Sequence, residues 1–468
     1  MQIPIISGIY TDSGAPDFRS AYPRNMIPVP KAQGISNGYL RQADGIMQAG
    51  MGPGIDRGGI RWNSQLYRVM GTKLCRISAG GSAEVLADVG DGEAVTMDYG
   101  FDRLAIASGK RLYYWDGGNL TQVIDSDLGQ VLSVKWIAGY FMTTDGVDII
   151  ITDLNDPANV QTLNYGSAEA DPDPIYAVDM LRNEAYAFGR YTIEVFQNVG
   201  GDGFPFQRVQ GAQIGKGIMG SKSYALLGDT FAFLGSGRGE APGIYQMTPG
   251  NVQKISTREI DQTLLEYSED ELSRVVMETR VDKGHQHIYI HLPDQCLVYD
   301  TIGSAVIGDP LWFTLTSSIT GRGTYRARGL VWCYDQWCVG DPTSAAFGVL
   351  TDSEGHHYGQ TVGWEFSTQV VYANGNGAII HDLELVCLSG KAAPGGRPVM
   401  FTQYSQDGQT WSQERPVSVG TTGERLKRIA WRNQGHLRHW RVQRFRGMSD
   451  ARIAVARLEA QVEPLATK

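Results

Sequence analysis

Two short strands joined by a tight turn are encoded by Leu104-Ala-Ile-Ala-Ser-Gly-Lys-Arg-Leu-Tyr-Tyr-Trp-Asp-Gly117. Apolar, β-branched and aromatic residues lead into the turn at Ser108-Gly109-Lys110 and lead out of it again. Glycine suits this position because tight hairpin turns require positive φ, which residues with a Cβ resist. The same glycine-marked unit recurs at intervals of 38, 37, 43 and 46 residues, at Gly71, Gly109, Gly146, Gly189 and Gly235.

Two later hairpins keep the pattern without the central glycine. The first is Ile288-Tyr-Ile-His-Leu-Pro-Asp-Gln-Cys-Leu-Val-Tyr299, with a predicted turn at Pro293-Asp294. The second is Val331-Trp-Cys-Tyr-Asp-Gln-Trp-Cys-Val339, with a predicted turn at Asp335-Gln336. A repeat of about 40 residues built only from strands is typical of an all-β fold of the β-propeller class. Seven hairpins predict seven blades, and the spacing is also compatible with six or eight.

Composition supports this interpretation. Among 468 residues there are 58 glycines and only 19% charged residues, which suits many turns and strands better than long surface helices. The N-terminus, Met1-Gln-Ile-Pro-Ile-Ile-Ser, has neither a positive leader nor an apolar stretch of signal length. We therefore expect a protein that functions without secretion and without a membrane-spanning segment.

Three regions are predicted. Residues 1–45, rich in Pro, Gly, Ser and Asn, should form an extended arm that packs on a neighbour. Residues 46–363 should form the propeller, with a short helical insertion near 262–277. Ser268 followed by Glu271 has the form of a capping box and predicts a helix that begins at Glu269. Residues 364–468 have longer alternating strands and should form a C-terminal β-sandwich.

The five cysteines do not form a disulfide framework, because their number is odd and their spacing irregular. Cys333 and Cys338 are expected to face each other across their hairpin turn, either as two reduced thiols or as a cross-strand bridge. Their spacing lacks a second pair of ligands, which argues against zinc.

Charge is distributed unevenly along the chain. Residues 425–457 contain ten Lys and Arg and one acid, whereas the rest of the chain has 31 basic and 49 acidic residues. An acidic body is a poor surface for holding DNA and suits a surface that DNA must slide past. The basic stretch has tryptophans among its arginines, which fits either a protein interface or phosphate contacts. Its candidate contact residues are Arg428, Arg432, Arg438, Arg441, Arg444 and Arg446.

Other motifs favour structural roles. Gly211-Ala-Gln-Ile-Gly-Lys-Gly217 lacks the spacing of a phosphate-binding loop. His285, His287 and His291 share one face of a strand, but positions two or four apart are separated by about 7 and 13 Å. A pair of them could bind a metal with help from other residues, but a polar sheet face without metal is predicted. No catalytic or cofactor-binding constellation is predicted either.

A short turn in the C-terminal region resembles the Asp box of sialidases and related propellers. Its residues are Ser405, Asp407, Gly408, Thr410 and Trp411. In such a turn the Asp accepts N–H groups and the Trp covers the core, so the element serves folding and not catalysis. A sialidase would also carry several copies, three clustered arginines and a Tyr/Glu nucleophile pair, none of which can be assigned here.

Several segments, in order along nearly the whole chain, resemble the packaged-DNA stabilisation proteins of short-tailed bacteriophages, also called tail accessory factors or tail nozzles. They include Asn25-Met-Ile-Pro-Val-Pro-Lys31, Gly38-Tyr-Leu-Arg41, Ile214-Gly-Lys-Gly217, Ile255-Ser-Thr-Arg-Glu-Ile-Asp261 and Leu297-Val-Tyr-Asp300. The ordered set is more specific than any one of its members.

The resemblance implies a structural protein of the virion tail, assembled in the host cytoplasm, without enzymatic activity or cofactor. It implies a hexameric ring below the portal and its adaptor protein, in contact with the tail needle and tailspike. Such a ring retains packaged double-stranded DNA and later lets it pass without sequence-specific binding. Candidate assembly contacts in the arm are Tyr22, Asn25, Met26, Lys31, Tyr39 and Arg41.

Three alternatives remain open at this point. A sialidase-like or carbohydrate-binding propeller would show several Asp boxes and act on a glycan. A host-encoded propeller scaffold would bind partners without forming a ring. A tailspike-like adhesin would form trimers and have long β-solenoid repeats.

Overall fold

The fold is given by a computed structural model that describes residues 2–3, 5, 8–10, 19–31, 36–154, 156–161, 163–168, 172–201, 203–248, 250–368, 371–372 and 377–465. Strands dominate this part of the chain. No helix within it is both long enough and apolar enough to cross a bilayer.

The first strands of the chain precede the propeller. They are β1 (Gln2–Ile3), β2 (Gly8–Tyr10), β3 (Arg19–Ala21), β4 (Met26–Pro30) and β5 (Gly38–Gln42). β2 pairs with β3. β4 and β5 form an antiparallel hairpin in which Ile27 lies opposite Arg41.

The propeller is built from the strands that follow. The first of them are β6 (Gly45–Met51), β7 (Asp56–Trp62), β8 (Gln65–Met70), β9 (Lys73–Ile77), β10 (Ala83–Asp88), β11 (Thr96–Tyr99), β12 (Leu104–Ser108), β13 (Arg111–Trp115), β14 (Leu120–Gln122), β15 (Ser133–Ile137), β16 (Tyr140–Thr144), β17 (Asp148–Ile151), β18 (Tyr165–Ser167), β19 (Ile175–Leu181), β20 (Glu184–Gly189), β21 (Ile193–Asn198) and β22 (Phe206–Arg208). β7 to β10, β11 to β14, β15 to β18 and β19 to β22 form blades one to four.

Three further blades complete the propeller. Their strands are β23 (Gly217–Ile218), β24 (Tyr224–Leu227), β25 (Thr230–Ser236), β26 (Gly243–Thr248), β27 (Asn251–Lys254), β28 (Val276–Asp282), β29 (His285–Leu292), β30 (Gln295–Asp300), β31 (Trp312–Leu315), β32 (Arg328–Cys333), β33 (Gln336–Gly340) and β34 (Ala346–Thr351). β23 to β27 form blade five, β28 to β31 form blade six, and β32 to β34 with β6 form blade seven. The predicted seven-bladed propeller is confirmed.

The ring is closed by pairing the start of the repeat region with its end. β6 adds to β34, so that Met47 lies opposite Val349 and Gly45 lies opposite Thr351. β32 of blade seven then packs beside β7 of blade one. Closure in this way gives every blade two neighbours and leaves no open end to the array.

Adjacent blades are held together by apolar side chains from facing sheets. Between blades one and two, Trp62 and Val69 share a core with Leu104. Between blades four and five, the rings of Phe188 and Phe231 meet edge to face, with centroids 5.2 Å apart. These contacts follow from the strand pattern, because both faces of each sheet are covered by neighbouring blades.

The glycines that mark the repeat have two different structural roles. Gly71, Gly109 and Gly146 have φ of 61°, 54° and 106° and lie in turns between the second and third strands of their blades. Gly189 and Gly235 are strand residues without positive φ, which differs from the predicted turn role. A Cβ on Gly235 would lie 1.7 Å from the carbonyl oxygen of a neighbouring strand, so close packing requires glycine there.

Three short helices interrupt the described strands: α1 (Arg258–Leu264), α2 (Glu269–Ser273) and α3 (Thr301–Ile307). Ser268 and Glu271 form the predicted capping box, so the predicted helix start at Glu269 is confirmed. α1 and α3 were not predicted. Asp300 caps α3, whose C-terminal cap Gly308 has φ of 86°.

The C-terminal strands form two sheets. They are β35 (Gly363–Ser367), β36 (Val371–Tyr372), β37 (Ala378–Leu388), β38 (Val399–Ser405), β39 (Arg415–Ser418), β40 (Ile429–Arg432), β41 (His436–Leu437), β42 (Trp440–Met448) and β43 (Ala454–Pro464). One sheet has the order β35-β42-β38-β39, with β36 on β42. The other has the order β4-β5-β43-β37-β40, with β1 on β43 and β41 on β37. This is the predicted β-sandwich.

The hairpin β4–β5 therefore belongs to the sandwich of its own chain, although residues 1–45 were predicted to extend toward a neighbour. Met26 and Leu40 lie in one core with Trp364 and Phe445, and Met26 has no exposed surface. Burial of these apolar side chains explains why the hairpin folds back instead of extending into solvent.

The hairpin that contains Cys333 and Cys338 turns one residue earlier than predicted. Tyr334 and Asp335 have φ of 55° and 58° and form a two-residue turn, so that Cys333 lies opposite Gln336 and Cys338 opposite Val331. The prediction that the two cysteines face each other is therefore wrong. Both are free and buried.

Candidate assembly surfaces

The segment before β4 ties the propeller to the sandwich. The Tyr22 hydroxyl lies 2.5 Å from Thr257 Oγ1, at the N-terminus of α1, and 3.5 Å from Glu259 Oε2. Burial, together with the nearby Glu259, raises the pKa of Tyr22 well above its ordinary value. Tyr22 was predicted to contact a neighbouring subunit, but its hydroxyl contacts Thr257 and Glu259 of its own chain.

Asn25 and Met26 are also committed within the chain. The Asn25 amide donates to the carbonyl oxygens of Thr316 (3.0 Å) and Gly363 (2.7 Å), and its own carbonyl accepts from Thr316 N. These bonds connect the end of blade six to the first strand of the sandwich. Neither Asn25 nor Met26, at 2% and 0% exposure, offers a surface to another subunit, which corrects the predicted role of both.

Lys31 and Tyr39 form an accessible pair at the tip of the β4–β5 hairpin. Lys31 is exposed, and its Nζ lies 5.2 Å from the centre of the half-buried Tyr39 ring. Arg41 instead points inward and donates to Asp44 Oδ1 at 2.9 Å. Burial disfavours the Asp44 carboxylate, but Arg41 and Arg280 outweigh this effect and hold the pKa of Asp44 well below its usual range.

The arginines of the basic stretch lie in different environments: one is buried, some are paired with acids and others are exposed. Arg441 is buried, and its guanidinium donates to Gln443 Oε1 and Gln434 O while it lies 3.7 Å from the centre of the Tyr404 ring. Burial lowers the pKa of Arg441 to about 10. Its side chain is enclosed, so the predicted interface or phosphate role does not fit Arg441.

Arg444 and Arg446 lie two residues apart on β42, each stacked on an aromatic ring. Arg444 lies 4.0 Å from the centre of the Trp411 ring and 3.8 Å from Glu365. Arg446 donates two hydrogen bonds to the carboxylate of Glu414. Much of the positive charge predicted for this strand is therefore neutralised by acids that lie elsewhere in the sequence.

Arg428, Arg432 and Arg438 are exposed. Arg428 donates to Glu384 Oε1 at 2.8 Å, and this hydrogen bond lowers the pKa of Glu384. Arg432 and Arg438 make no ion pair with any described carboxylate. A groove of about 650 Å³ is lined by residues 412–416 and 430–435, which include Arg415 and Arg432. Of the six predicted basic contacts, Arg432 and Arg438 are the two that present uncompensated charge to solvent.

The Asp-box-like turn is stabilised by hydrogen bonds among its own residues. Asp407 Oδ1 accepts from Gln409 N (2.8 Å), Thr410 N (2.7 Å) and Ser405 Oγ (3.0 Å), and Gly408 has φ of 76°. Hydrogen bonds from Thr410 hold the pKa of Asp407 well below its usual range. Trp411 is only half-buried and stacks on an arginine, so the prediction that it covers the core is wrong.

A polar cavity of about 340 Å³ lies between the innermost strands of the blades. Lys135 Nζ lies 3.1 Å from Asp179 and 3.5 Å from Asp98 inside the ring of strands. Lys222 lines the same cavity, and burial lowers its pKa to about 8. A sphere of this volume is about 9 Å across, which is narrower than even the major groove of B-form DNA, about 12 Å wide. The axis of one propeller is therefore no passage for DNA.

Two of the three histidines on β29 converge on the carboxylate of a residue from the next strand. His285 Nδ1 lies 2.5 Å from Asp300 Oδ2, and His287 Nε2 lies 3.7 Å from the same oxygen. His291 turns instead to Glu278, at 3.8 Å. Asp300, on the adjacent strand, was missed because cross-strand register cannot be read from spacing along one strand.

Comparisons with known proteins agree with both domains. A family model described as Bacteriophage P22 Gp10, beta-propeller, matches residues 1–354, and one described as Bacteriophage P22 Gp10, beta-sandwich, matches residues 363–463. The tail hub protein gp10 of Salmonella phage P22 is 27% identical over 484 residues, which cover 99% of each chain.

Solved structures are similar only at low identity. The WD40 domain of Neurospora crassa Pan2 has a TM-score of 0.42 and 9% identity, covering 66% of this chain and 96% of that one. The N-terminal domain of Nup159 has a TM-score of 0.40 and 11% identity, covering 69% and 98%. The family models span both domains, and this chain therefore belongs to the P22 Gp10 family of phage tail hub proteins, structural components of the virion tail.

Proposed function

We propose that six copies of this chain form a ring below the portal and its adaptor protein, and that the ring retains packaged DNA and forms part of its exit channel. The observation that carries the proposal is the match to a phage tail hub protein over 99% of both chains. In this proposal the ring assembles in the host cytoplasm, meets the tail needle at its exit and carries tailspikes at its periphery.

A stiff wall is required of such a ring, and the connections between the two domains support this role. Asn25 bonds the end of blade six to β35, and Arg24 Nη1 donates to Gly363 O at 3.1 Å. The β4–β5 hairpin adds to the sandwich sheet just before β6 closes the propeller. One continuous segment thus fastens the sandwich and the propeller to each other, which limits hinge motion between them.

The DNA channel in this proposal lies between subunits, because the axial cavity of a single propeller is too small. Outside residues 425–457 the chain carries 49 acidic and 31 basic residues. Carboxylates facing the duplex would repel phosphates and keep DNA from adhering during ejection. A head-to-tail interface that closes after six copies would generate the ring.

The accessible candidates for contacts between subunits or with the adaptor are Lys31, Tyr39, Arg432 and Arg438. Their exposure distinguishes them from the buried members of the two predicted sets. Arginine next to apolar and aromatic surface is favoured at protein interfaces, and an acidic partner surface would complement these charges.

Mass measurement tests the ring directly. Light scattering and negative-stain microscopy would be applied to the purified chain, alone and with its candidate adaptor ring. Six chains of 51.3 kDa give a particle of about 308 kDa, with a central opening wide enough for duplex DNA. A chain that stays monomeric even with the adaptor would contradict the proposal.

Charge reversal tests the contact surface. The double variant Arg432→Glu/Arg438→Glu is expected to lower incorporation into the ring, because two uncompensated charges change sign. Lys391→Glu/Arg397→Glu is the matched control, since it makes the same charge change at exposed residues of the same sandwich outside the basic stretch. Equal incorporation of both variants would exclude Arg432 and Arg438 from the interface.

A carbohydrate-directed propeller has less support. The Asp-box-like turn lies between β38 and β39 in the sandwich and not in a blade. Glycan binding becomes the next assay only if the mass measurement gives a monomer.

A further inference from the structure

The geometry points to a divalent transition-metal site formed by His285, His287 and Asp300, with the chemistry that suits Zn²⁺. One ligand atom from each of the three residues lies within 4.8 Å of the other two. Two imidazoles and one carboxylate are a ligand set that zinc, nickel and copper accept, whereas calcium and magnesium prefer oxygen alone.

The backbone places these residues in fixed register. His285 and His287 lie two residues apart on β29, and their rings stack with centroids 5.0 Å apart. Asp300, the last residue of β30, lies directly opposite His287. Its Oδ1 accepts from Gly303 N at 3.0 Å, which orients the carboxylate and leaves Oδ2 toward both rings. A hydrogen-bonded carboxylate is the arrangement in which metal ligands are usually held.

Two imidazoles that face one carboxylate oxygen distinguish this cluster from an ordinary histidine–aspartate pair. His287 is 4% exposed, and its buried Nε2 has no hydrogen-bond partner among the described residues, as is also true of His291 Nε2 beside Glu278. A buried polar atom without a partner costs free energy, so such an atom calls for an explanation. A metal ion would satisfy His287 Nε2, because this nitrogen is aimed at the shared Asp300 oxygen, 3.7 Å away.

Binding requires the ligand atoms, which lie within 4.8 Å of one another, to approach by about 1.5 Å or less. Two ligand atoms bound to one zinc at about 2.0–2.1 Å lie about 3.3 Å apart in tetrahedral geometry. The two histidine–aspartate distances, 2.5 Å and 3.7 Å, lie on either side of this value. On binding, His285 would take the tautomer with its proton on Nε2, which leaves Nδ1 for the metal. Three protein ligands leave the remaining position to water.

The charges around the cluster permit a cation. Arg280 lies opposite His287 on β28, but it is paired with Asp282 and, at 2.8 Å, with Asp44. Asp300 is a buried carboxylate whose partners are two imidazoles and a backbone N–H. The exposed Lys283–Gly284 turn precedes His285 and provides a short route from solvent.

The bound metal would have a structural role. Asp300 caps α3, and α3 packs on β4, the strand that fastens the sandwich to the propeller. A metal on Asp300 would therefore link β29 and β30 to the start of this helix. This role does not depend on ring formation, so failure of one proposal leaves the other standing.

Metal titration of the full chain tests the inference. After treatment with EDTA and its removal, Co²⁺ is added and the visible absorption of a low-symmetry cobalt site is followed, with Zn²⁺ as competitor. We expect one ion per chain, and at least tenfold weaker binding for His287→Gln and for Asp300→Asn. Asparagine retains the helix cap, so Asp300→Asn removes the charge and leaves the local fold.

The matched control is His291→Gln, which changes a partly buried histidine on the same face of the same strand, outside the cluster. It should bind one ion as the wild type does. Equal weakening by His291→Gln and His287→Gln, or no stoichiometric binding by the wild type, would overturn the inference.

A second measurement needs no variant. X-ray absorption at the zinc edge of the wild-type chain should show two imidazoles and oxygen at about 2.0 Å. A shell of oxygen alone, as from adventitious surface binding, would also overturn the inference.

Discussion

Asp56 and Arg68 form a buried ion pair at the seam where the propeller ring closes, and its loss should destabilise blade seven. Arg68 donates from Nε to Asp56 Oδ1 at 2.7 Å and from Nη2 to Oδ2 at 2.8 Å, and both side chains are fully buried. The same guanidinium donates to the carbonyl oxygens of Gly329 and Arg328 on β32. The pair in blade one thus holds the innermost strand of blade seven.

Asp56→Asn removes the countercharge and leaves the Arg68 guanidinium enclosed. Breaking a buried pair on one side costs about 3–5 kcal/mol of folding free energy, because the remaining charge stays desolvated. Arg68→Met leaves the Asp56 carboxylate buried instead and should cost a similar amount. The double variant should cost less than the sum of the two single variants by about 2 kcal/mol or more, since no unpaired charge remains.

Urea unfolding and native-state hydrogen exchange measure these effects. The chain has two domains, so a single unfolding free energy is not well defined, and exchange at the amides of β32 and β33 reports the seam directly. The matched control is Asp88→Asn, which breaks the Lys73–Asp88 pair in the same blade, where the side chains are 39% and 54% exposed. Exposed pairs contribute little to stability.

The reasoning would be refuted if the β32 amides were as well protected from exchange in the Asp56→Asn variant as in the Asp88→Asn variant. It would also be refuted if the two single variants were simply additive, because the cost would then not come from an unpaired buried charge.

Three further predictions concern the core, the response to acid and strand packing. Met26→Ala should lower the stability of the sandwich by about 2–5 kcal/mol, because it leaves a cavity in the shared core, whereas Met51→Ala, at an exposed position, should have little effect in the same thermal melts. Burial disfavours the Glu278 carboxylate, but contact with an imidazole and two backbone N–H bonds outweigh burial and lower its pKa to about 2. Because the folded pKa lies below the unfolded value of 4.5, this stabilisation is present above pH 4.5 and is lost as the pH falls toward 2. Glu278→Gln should therefore flatten the dependence of stability on pH between about 4.5 and 2, and an unchanged slope would contradict the assignment. Gly235→Ala should destabilise blade five by about 1–3 kcal/mol or more through the clash with a backbone oxygen, whereas Gly215→Ala, whose Cβ meets no atom of the described residues within 4 Å, should melt like the wild type.

The repeat of apolar hairpins was sufficient to predict the seven blades. Each hairpin is a local unit, because residues such as 104–108 and 111–115 pair across a two-residue turn. Turn chemistry and strand alternation act over a few residues, so they remain visible in one sequence. The Ser268–Glu271 capping box was readable for the same reason.

Contacts between segments far apart in the chain could not be predicted from the sequence. Residues 1–45 were expected to extend as an arm, but Met26 and Leu40 find apolar partners in strands more than 300 residues later. Likewise, the arginines of β42 were predicted as a basic surface, whereas Glu365 and Glu414 neutralise two of them. Composition counts charges along the chain and does not show which of them meet.

The sequence by itself determined the propeller, the sandwich and the family resemblance, because all of these rest on short-range patterns and ordered motifs; it favoured seven blades without excluding six or eight. Only the tertiary structure decided that β6 closes the ring, that Met26 lies in the sandwich core and that Asp300 joins His285 and His287. These features depend on strand register and on sheet packing between segments far apart in the chain. Their free energy comes from burial and from desolvated charges, which exist only once the chain has folded.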